Sequence, residues 1–222
     1  MANLVAVVGA PGTGKSSSMR NLNPSETYVI NILGKPLPFK GSASKYNAEK
    51  KNWAKVDAWN QIVDLLRGIS EHRPEIKTVV LDDIGFLMSI EFFKRAKETG
   101  YSKFSEIGQH MFQVVNTAAS LRDDLNVVFM FHEEKQIVDG YVPQKKIKTI
   151  GRMLDDKFDL AAIFTTVLYT DVTFGKEGEA TYSFITNTTS SAPAKSPMEM
   201  FKDLHVPNDL VDILQSINEY YE

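Results

Sequence analysis

The sequence has no cysteine, which excludes disulfide bonds, thiolate metal sites and a cysteine nucleophile. It also lacks an apolar run near the roughly 18 residues of a membrane span, and a charged segment followed by a long apolar stretch at its N-terminus. Lysine and arginine number 25 against 28 aspartate and glutamate, a net charge of −3. Nucleic-acid binding would therefore need a local basic patch. These absences predict a cytoplasmic protein that does not associate with membranes.

Two kinds of apolar pattern alternate along the chain, as is typical of an α/β fold. Short apolar runs that predict strands buried in a parallel sheet occupy residues 4–8, 27–33, 77–81 and 127–131. Apolar residues at three- and four-residue steps predict helices on that sheet at 56–69 and 107–121. With 222 residues, the chain has the length of one such domain, and we predict a single domain over residues 1–222.

The last third of the chain departs from this alternation. Residues 160–172 and 181–185 carry two further β patterns, which are separated by a glycine-containing turn at 175–178 and predict an antiparallel hairpin. An amphipathic pattern then predicts a closing helix at about 208–221.

The segment GAPGTGKS at residues 9–16 matches the phosphate-binding pattern G-x-x-x-x-G-K-[ST]. It follows an apolar strand pattern and opens a predicted helix at 16–21. Glycines let the backbone curl around phosphate oxygens, and the positive end of a helix would face the same anion. The alternative is a glycine-rich turn with a solvated lysine. We predict a P-loop NTPase fold with ATP bound by Gly9, Ala10, Pro11, Gly12, Thr13, Gly14, Lys15, Ser16 and Ser17.

Two residues of this loop and two acids have specific predicted roles. Lys15 would reach the β- and γ-phosphates, and Ser16 would bind Mg²⁺. Asp82 and Asp83 close the apolar run 77–81, and ligands of parallel α/β sheets lie at that end of the strands. We therefore predict that Asp82 holds Mg²⁺ beside the phosphates. Asp83 is a candidate for polarising the attacking water, and equally a helix N-cap or turn residue.

His132 ends the next predicted strand and should lie at the same edge of the sheet. There it would be within reach of the γ-phosphate or the attacking water, as a catalytic or sensing residue. A histidine that only bonds neighbouring loop carbonyls is the alternative. Glu133 and Glu134 follow directly, and are candidates for orienting water or solvated surface residues.

A lysine-rich stretch with interleaved aromatics covers residues 35–55, and Glu49 is its single acid. Lysines contact phosphates and aromatic rings stack on bases, so the stretch is suited to single-stranded DNA. A solvated lysine-rich loop is the equal alternative, because lysine is the default surface residue. The candidate DNA-binding residues are Lys45, Lys50, Lys51 and Trp53.

A second basic stretch comprises KKIK at residues 145–148 together with Arg152. It is a candidate for binding DNA. Alternatively, Arg152 would supply a cation to the γ-phosphate of a neighbouring subunit, as arginine fingers do.

The combination of GAPGTGKS, NILGKPLPF, VVLDD, FMFHEE, TIGRMLDDKF and AKSPMEMF resembles the phage-encoded RecA-like ATP-binding proteins that are grouped with single-strand-annealing recombinases. The resemblance covers most of the chain. It implies a RecA-like core and binding of ATP and Mg²⁺ by Lys15, Ser16 and Asp82. It also implies association with single-stranded DNA and single-strand-binding protein, in phage recombination or replication in the host cytoplasm. Separately, we expect the chain to assemble into a homo-oligomer.

The resemblance further places Lys195 where RecA-like proteins can present a basic residue across a subunit interface. The chain departs from the family at the catalytic base. RecA-like enzymes commonly use a glutamate near the end of an adjacent strand, and no glutamate closes the strand predicted at 27–33.

Three hypotheses of function follow. The first is a Mg²⁺-dependent, DNA-stimulated ATPase that acts on single-stranded DNA. The second is a nucleotide-switched loader of a helicase or of single-strand-binding protein. The third is a small-molecule P-loop kinase, which is disfavoured because such kinases usually have an arginine-rich lid. The arginines of this chain show no cluster: Arg20, Arg67, Arg73, Arg95, Arg122 and Arg152.

Overall fold

The structure is a computed structural model that describes residues 1–138, 142–150 and 159–222. It confirms the predicted fold class: nine strands in these ranges form a mostly parallel sheet that is flanked by helices and ends in an antiparallel hairpin. No helix of the described ranges is long and apolar enough to cross a membrane.

Six of the strands are parallel and form the main body of the sheet. In chain order the nine strands are β1 (Asn3–Gly9), β2 (Thr27–Asn31), β3 (Trp53–Lys55), β4 (Thr78–Asp82), β5 (Asn126–Val138), β6 (Val142–Ile147), β7 (Thr166–Phe174), β8 (Ala180–Ile185) and β9 (His205–Pro207). Their order across the sheet is β3-β2-β4-β5-β1-β7-β8-β9, in which β7, β8 and β9 pair antiparallel. Strand β6 forms a hairpin with the outer half of β5.

Helices cover both faces of the sheet. They are α1 (Ser42–Lys45), α2 (Trp59–His72), α3 (Phe86–Lys94), α4 (Ser102–Ala119) and α5 (Leu210–Tyr221), with short 3-10 helices at Ser16–Met19 and Leu160–Ile163. Helix α2 buries the side chains of Ile62, Val63, Leu66 and Ile69, the stripe that its sequence spacing predicts. Asp209 caps the N-terminus of helix α5, where its carboxylate accepts a hydrogen bond from the Val211 backbone N–H.

The core consists of two apolar clusters, one on each face of the sheet. Alternate residues of the strands point to opposite faces, so that Phe129 packs with α2, α3 and α4, whereas Val128 packs with α5. Burial of each large apolar side chain contributes about 1.5–3 kcal/mol, and these clusters thereby hold the strand ends in place.

The strand register brings the predicted site residues to one edge. Gly9 at the end of β1 pairs with His132 of β5, and Asn31 at the end of β2 pairs with Asp82 at the end of β4. Only β5 lies between the strand of the phosphate loop and the strand of the acids. Loops that leave this edge therefore surround a common space.

The local structure differs from the sequence prediction at several points. A single 3-10 turn at Ser16–Met19 replaces the helix predicted at 16–21. Strand β5 continues beyond the predicted 127–131, and its hairpin with β6 contains residues 145–147 of the basic stretch. The β segment predicted from residue 160 begins at Thr166. The sequence patterns do not predict strands β3, β6 and β9 or helices α1 and α3.

Candidate nucleotide-binding site

The phosphate loop has the backbone that its glycines allow. Gly12 and Gly14 adopt positive φ angles of 79° and 95°, a conformation that residues with a Cβ atom rarely take. At Gly9, an added Cβ would lie 1.8 Å from Thr170 Oγ1 on β7. The Thr170 hydroxyl in turn lies 2.6 Å from Thr13 Oγ1, which joins the loop to the neighbouring strand.

Lys15 is folded into its own loop. Its ammonium donates hydrogen bonds to the Gly9 and Ala10 carbonyls, both at 2.9 Å, and the residue is only 6% exposed. Burial lowers the pKa of Lys15, although the nearby Asp83 and Asp82 carboxylates oppose this effect. The cation is thus held at the centre of the loop, where an anion would bind.

Ser16 and Asp82 meet across the intervening strand. The Ser16 hydroxyl donates to Asp82 Oδ1 at 2.6 Å. Burial raises the pKa of Asp82 to about 6, and the hydrogen bond from Ser16 opposes that rise. A hydroxyl beside a carboxylate forms an oxygen-only pair, which is the ligand type that Mg²⁺ takes while it keeps several waters. In the described ranges, no cluster of three or more histidine, aspartate or glutamate side chains could hold a metal ion.

Asp83 lies at the sharp exit of β4, where its φ is 59°. His132 Nε2 donates to its Oδ1 at 3.0 Å, and Lys35 Nζ lies 2.7 Å from its Oδ2. Burial by itself raises the pKa of Asp83, but the hydrogen bonds from His132 and Lys35 outweigh it and hold the pKa at about 2. The Phe86 ring contacts His132 edge-on and lies beneath the Lys35 ammonium, 5.9 Å from the ring centre.

These residues line one open cleft of about 880 Å³, large enough for a nucleoside triphosphate. Its phosphate-loop wall holds Pro11, Gly12, Gly14, Lys15, Ser16 and Ser17. Its acidic end holds Asp82, Asp83 and His132, with Lys35, Pro36 and Pro38 above them. The residues predicted at the ends of three separate strands are therefore together in one cleft.

The opposite end of the cleft comes from the C-terminal part of the chain. Tyr182 of β8 is 44% exposed and lies against Gly14, where an added Cβ would be 3.1 Å from its ring. Asn208 is buried, and its Nδ2 has no hydrogen-bond partner among the described residues. Arg20 donates to the Asn208 carbonyl at 2.6 Å and so connects this segment to the phosphate loop.

Sequence reasoning did not assign Lys35, Tyr182 or Asn208 to the site. Lys35 carried a usable signal, because it lies between Gly34 and Pro36 just after a buried strand. Tyr182 and Asn208 have no such signal in the sequence, because they reach the phosphate loop only when β8 and β9 pair antiparallel at the end of the sheet.

The predicted DNA-binding residues divide into exposed and anchored groups. Lys50 and Lys51 are exposed. The Lys45 ammonium instead donates to the Arg20 carbonyl at 2.8 Å, and Trp53 is half-buried against the apolar cluster. Tyr46, one of the interleaved aromatics, is buried and offers no stacking surface. Their role in DNA binding stays a prediction.

The hairpin β5–β6 pairs acids with the second basic stretch. Lys145 lies 3.3 Å from Glu133, and Lys146 lies 2.9 Å from Glu134. Neither glutamate is among the residues that line the cleft. Arg152, the candidate trans-acting cation, lies outside the described residues.

Lys195 lies beside the first half of β7. Its backbone pairs with Val167, and its ammonium approaches the Ala162 carbonyl at 3.5 Å. Val167 is level with Ala6 in the middle of β1, whereas the phosphate loop begins at Gly9. The action of Lys195 on the phosphate of a neighbouring subunit stays a prediction.

The fold and the loop together define a P-loop nucleotide-binding protein. Residues 1–198 match a family model described as AAA domain, and the chain belongs to this family. Membership indicates nucleotide binding and an AAA-type ATPase class. A comparison with curated proteins gave no match.

Proposed function

We propose that this chain is a Mg²⁺-dependent ATPase of RecA-like type that acts on single-stranded DNA in phage recombination or replication. The proposal depends above all on one observation: Ser16 Oγ lies 2.6 Å from Asp82 Oδ1, although the two residues are 66 positions apart in sequence. This contact joins the phosphate loop to the acidic strand, which is the pairing that binding of a metal–nucleotide complex requires.

The acidic end of the cleft suits the β- and γ-phosphates. The Lys15 ammonium would exchange the Gly9 and Ala10 carbonyls for phosphate oxygens, which are stronger acceptors because they are charged. Ser16 and Asp82 would hold Mg²⁺, which when bound neutralises charge on these phosphates. Because only a short 3-10 turn follows the loop, backbone N–H groups and side chains would bind the phosphates, with little contribution from a helix dipole.

Asp83 is the best-placed acceptor for the attacking water. No acid closes β2, and the amide of Asn31 at that point is occupied: it donates to the Lys35 carbonyl and accepts from the Gly34 N–H. Asp83 lies at the cleft, and His132 fixes the orientation of its carboxylate. We therefore assign the orientation of water to Asp83 and the positioning of Asp83 to His132.

The C-terminal end of the cleft suits the nucleoside. The exposed ring of Tyr182 offers a stacking surface for a base, and the Asn208 amide has unused hydrogen-bonding capacity. Bound in this direction, a triphosphate extends from Tyr182 along the phosphate loop to the acids.

The DNA-directed part of the proposal is supported by the resemblance and by charge. The segments GKPLP, IGRML and AKSP resemble the phage recombinase-associated proteins. The exposed Lys50 and Lys51 provide cations for phosphate contacts. An oligomer on DNA would allow Lys195 or Arg152 to reach a neighbouring nucleotide.

A DNA-binding measurement tests the proposal. We expect a fluorescently labelled single strand to bind more tightly with ATP than with ADP, and more tightly than a duplex of equal length. Phosphate transfer from ATP to nucleotide acceptors without DNA would instead establish a kinase. Nucleotide-dependent capture of purified helicase or single-strand-binding protein, with no DNA binding, would favour the loader.

A further inference from the structure

Lys35 is a cation at the phosphate end of the cleft that no part of the P-loop motif accounts for. Its ammonium lies 2.7 Å from Asp83 Oδ2, yet 59% of its side chain is exposed, against 7% for Asp83. It therefore reaches from solvent over the cleft to a buried acid. Its tip and Lys15 approach the same two carboxylates from different loops.

The backbone that presents Lys35 is fixed. Asn31 is fully buried, and its amide donates to the Lys35 carbonyl at 2.8 Å and accepts from the Gly34 N–H at 2.7 Å. Gly34 has a φ of 69°, and Pro36 restricts the chain on the other side. The base of the side chain is thus held in place, whereas most of the side chain beyond it is exposed to solvent.

The contact between Lys35 and Asp83 is of an exchangeable kind. An ion pair with one largely exposed partner gives little net stability, because water competes for the ammonium. The terminal phosphate of ATP carries more negative charge than one carboxylate and offers three acceptor oxygens. It would compete with Asp83 for the same ammonium, and ADP, which lacks that phosphate, would not.

The contact also limits Asp83. One carboxylate oxygen bonds His132 and the other bonds Lys35, so each oxygen already has one partner, and roughly half of the acceptor sites of the carboxylate are occupied before water arrives. Loss of the Lys35 contact would free Oδ2 while His132 still orients the group.

We propose that Lys35 is a γ-phosphate-binding cation, held by Asp83 without nucleotide and transferred to the terminal phosphate when ATP binds, which releases Asp83 Oδ2 to accept a hydrogen bond from water. This inference rests on the proposed ATP site. It makes Lys35 the residue by which the cleft distinguishes ATP from ADP.

The test is a pair of affinities, for ATP and for ADP with Mg²⁺, measured for wild type, Lys35→Met and Lys35→Arg, with Lys40→Met as the matched control. Lys40 is an exposed lysine of the same segment that does not line the cleft. We expect Lys35→Met to weaken ATP binding roughly 10-fold or more and to leave ADP binding within about twofold, since one charge-assisted contact is lost. Lys35→Arg should recover part of the loss, and Lys40→Met should bind both nucleotides as wild type does.

Asp83→Asn supplies the second arm. It removes the charge that competes for Lys35, so ATP should bind at least as tightly as to wild type. Equal losses of ATP and ADP affinity in Lys35→Met would overturn the inference. So would unchanged affinity for both nucleotides, because Lys35 would then only restrain Asp83. A wild-type chain that binds neither nucleotide would instead refute the ATP site itself.

Discussion

Two lysine-bearing regions of the molecule differ in how the fold holds their charges. In the phosphate loop, Lys15 is buried and bonded to two carbonyls of its own loop. In the segment from α1 to β3, Lys50 and Lys51 extend into solvent. The phosphate loop fixes the position of its lysine ammonium, whereas the segment from α1 to β3 provides positive charge without fixing its position. The comparison teaches that nucleotide binding depends on a built site, whereas DNA binding by the second region would depend on electrostatics and hence on salt.

The largest effect should come from Lys15→Ala. It removes the buried cation that faces the phosphates, and we expect ATP hydrolysis to fall by roughly 100-fold or more. Steady-state phosphate release measures this, and thermal unfolding without nucleotide checks that the chain still folds. Lys50→Ala is the matched control from the exposed region and should retain its basal rate. Equal losses in both variants would remove the distinction between the two regions.

The next effect concerns stability and compares two glycines. In Gly9→Ala, the new Cβ would meet the buried Thr170 hydroxyl, so we expect a loss of about 1–3 kcal/mol in the free energy of unfolding. Gly41, within the lysine-rich stretch, has a φ of 77°, and an added Cβ there would meet Ser44 Oγ at 3.8 Å, an ordinary contact, so Gly41→Ala should cost only about 1 kcal/mol of backbone strain. Urea denaturation measures both. Adding Thr170→Ala should recover part of the loss in Gly9→Ala; no recovery would show that the clash is not the cause.

The third effect is on the salt dependence of DNA binding. Lys50→Gln with Lys51→Gln removes two exposed cations. The slope of log affinity against log salt is negative, and for single strands each lost phosphate contact makes it shallower by about 0.7, or by about 1.4 in total. Fluorescence anisotropy over a salt series measures it. Lys45→Gln should change the slope less, because the Lys45 ammonium is bonded to the Arg20 carbonyl. An unchanged slope in the double variant would show that Lys50 and Lys51 do not contact the DNA phosphates.

The smallest effect tests whether Lys195 acts between subunits. Subunits with Lys195→Ala retain a phosphate loop, and subunits with Lys15→Ala retain Lys195. When the two variants are mixed in equal amounts into a random head-to-tail assembly, about a quarter of the interfaces would combine both intact residues, so about a quarter of wild-type ATPase activity should return. Complete inactivity of every mixture would count against complementation across the interface.

Much of the fold was predictable because burial on both faces of a parallel sheet leaves a strong pattern. The apolar runs before Gly9, Asp82 and His132 predict that these residues lie at one edge of the sheet, and the structure brings them to that edge, although β5 continues past His132. The loop itself was recognisable because its glycine spacing meets a backbone requirement.

The features that the sequence did not predict depend on short turn residues or on contacts between distant parts of the chain. Serines 16–18 favour caps and turns over helix interiors, so the helix predicted after the loop is a single 3-10 turn. The outer half of β5 lies beyond the parallel sheet, where His132 to Gln136 are five consecutive polar residues and no apolar run marks the strand. Tyr182 and Asn208 reach the cleft only through the order of the C-terminal strands.

The most direct test of the central claim is the rate of ATP hydrolysis with and without saturating single-stranded DNA, in wild type and in Lys15→Ala. We predict that DNA raises the wild-type rate and has no effect on Lys15→Ala, because stimulation acts through the same phosphate loop. A wild-type chain that binds ATP but hydrolyses it at the same rate with and without DNA would contradict the account.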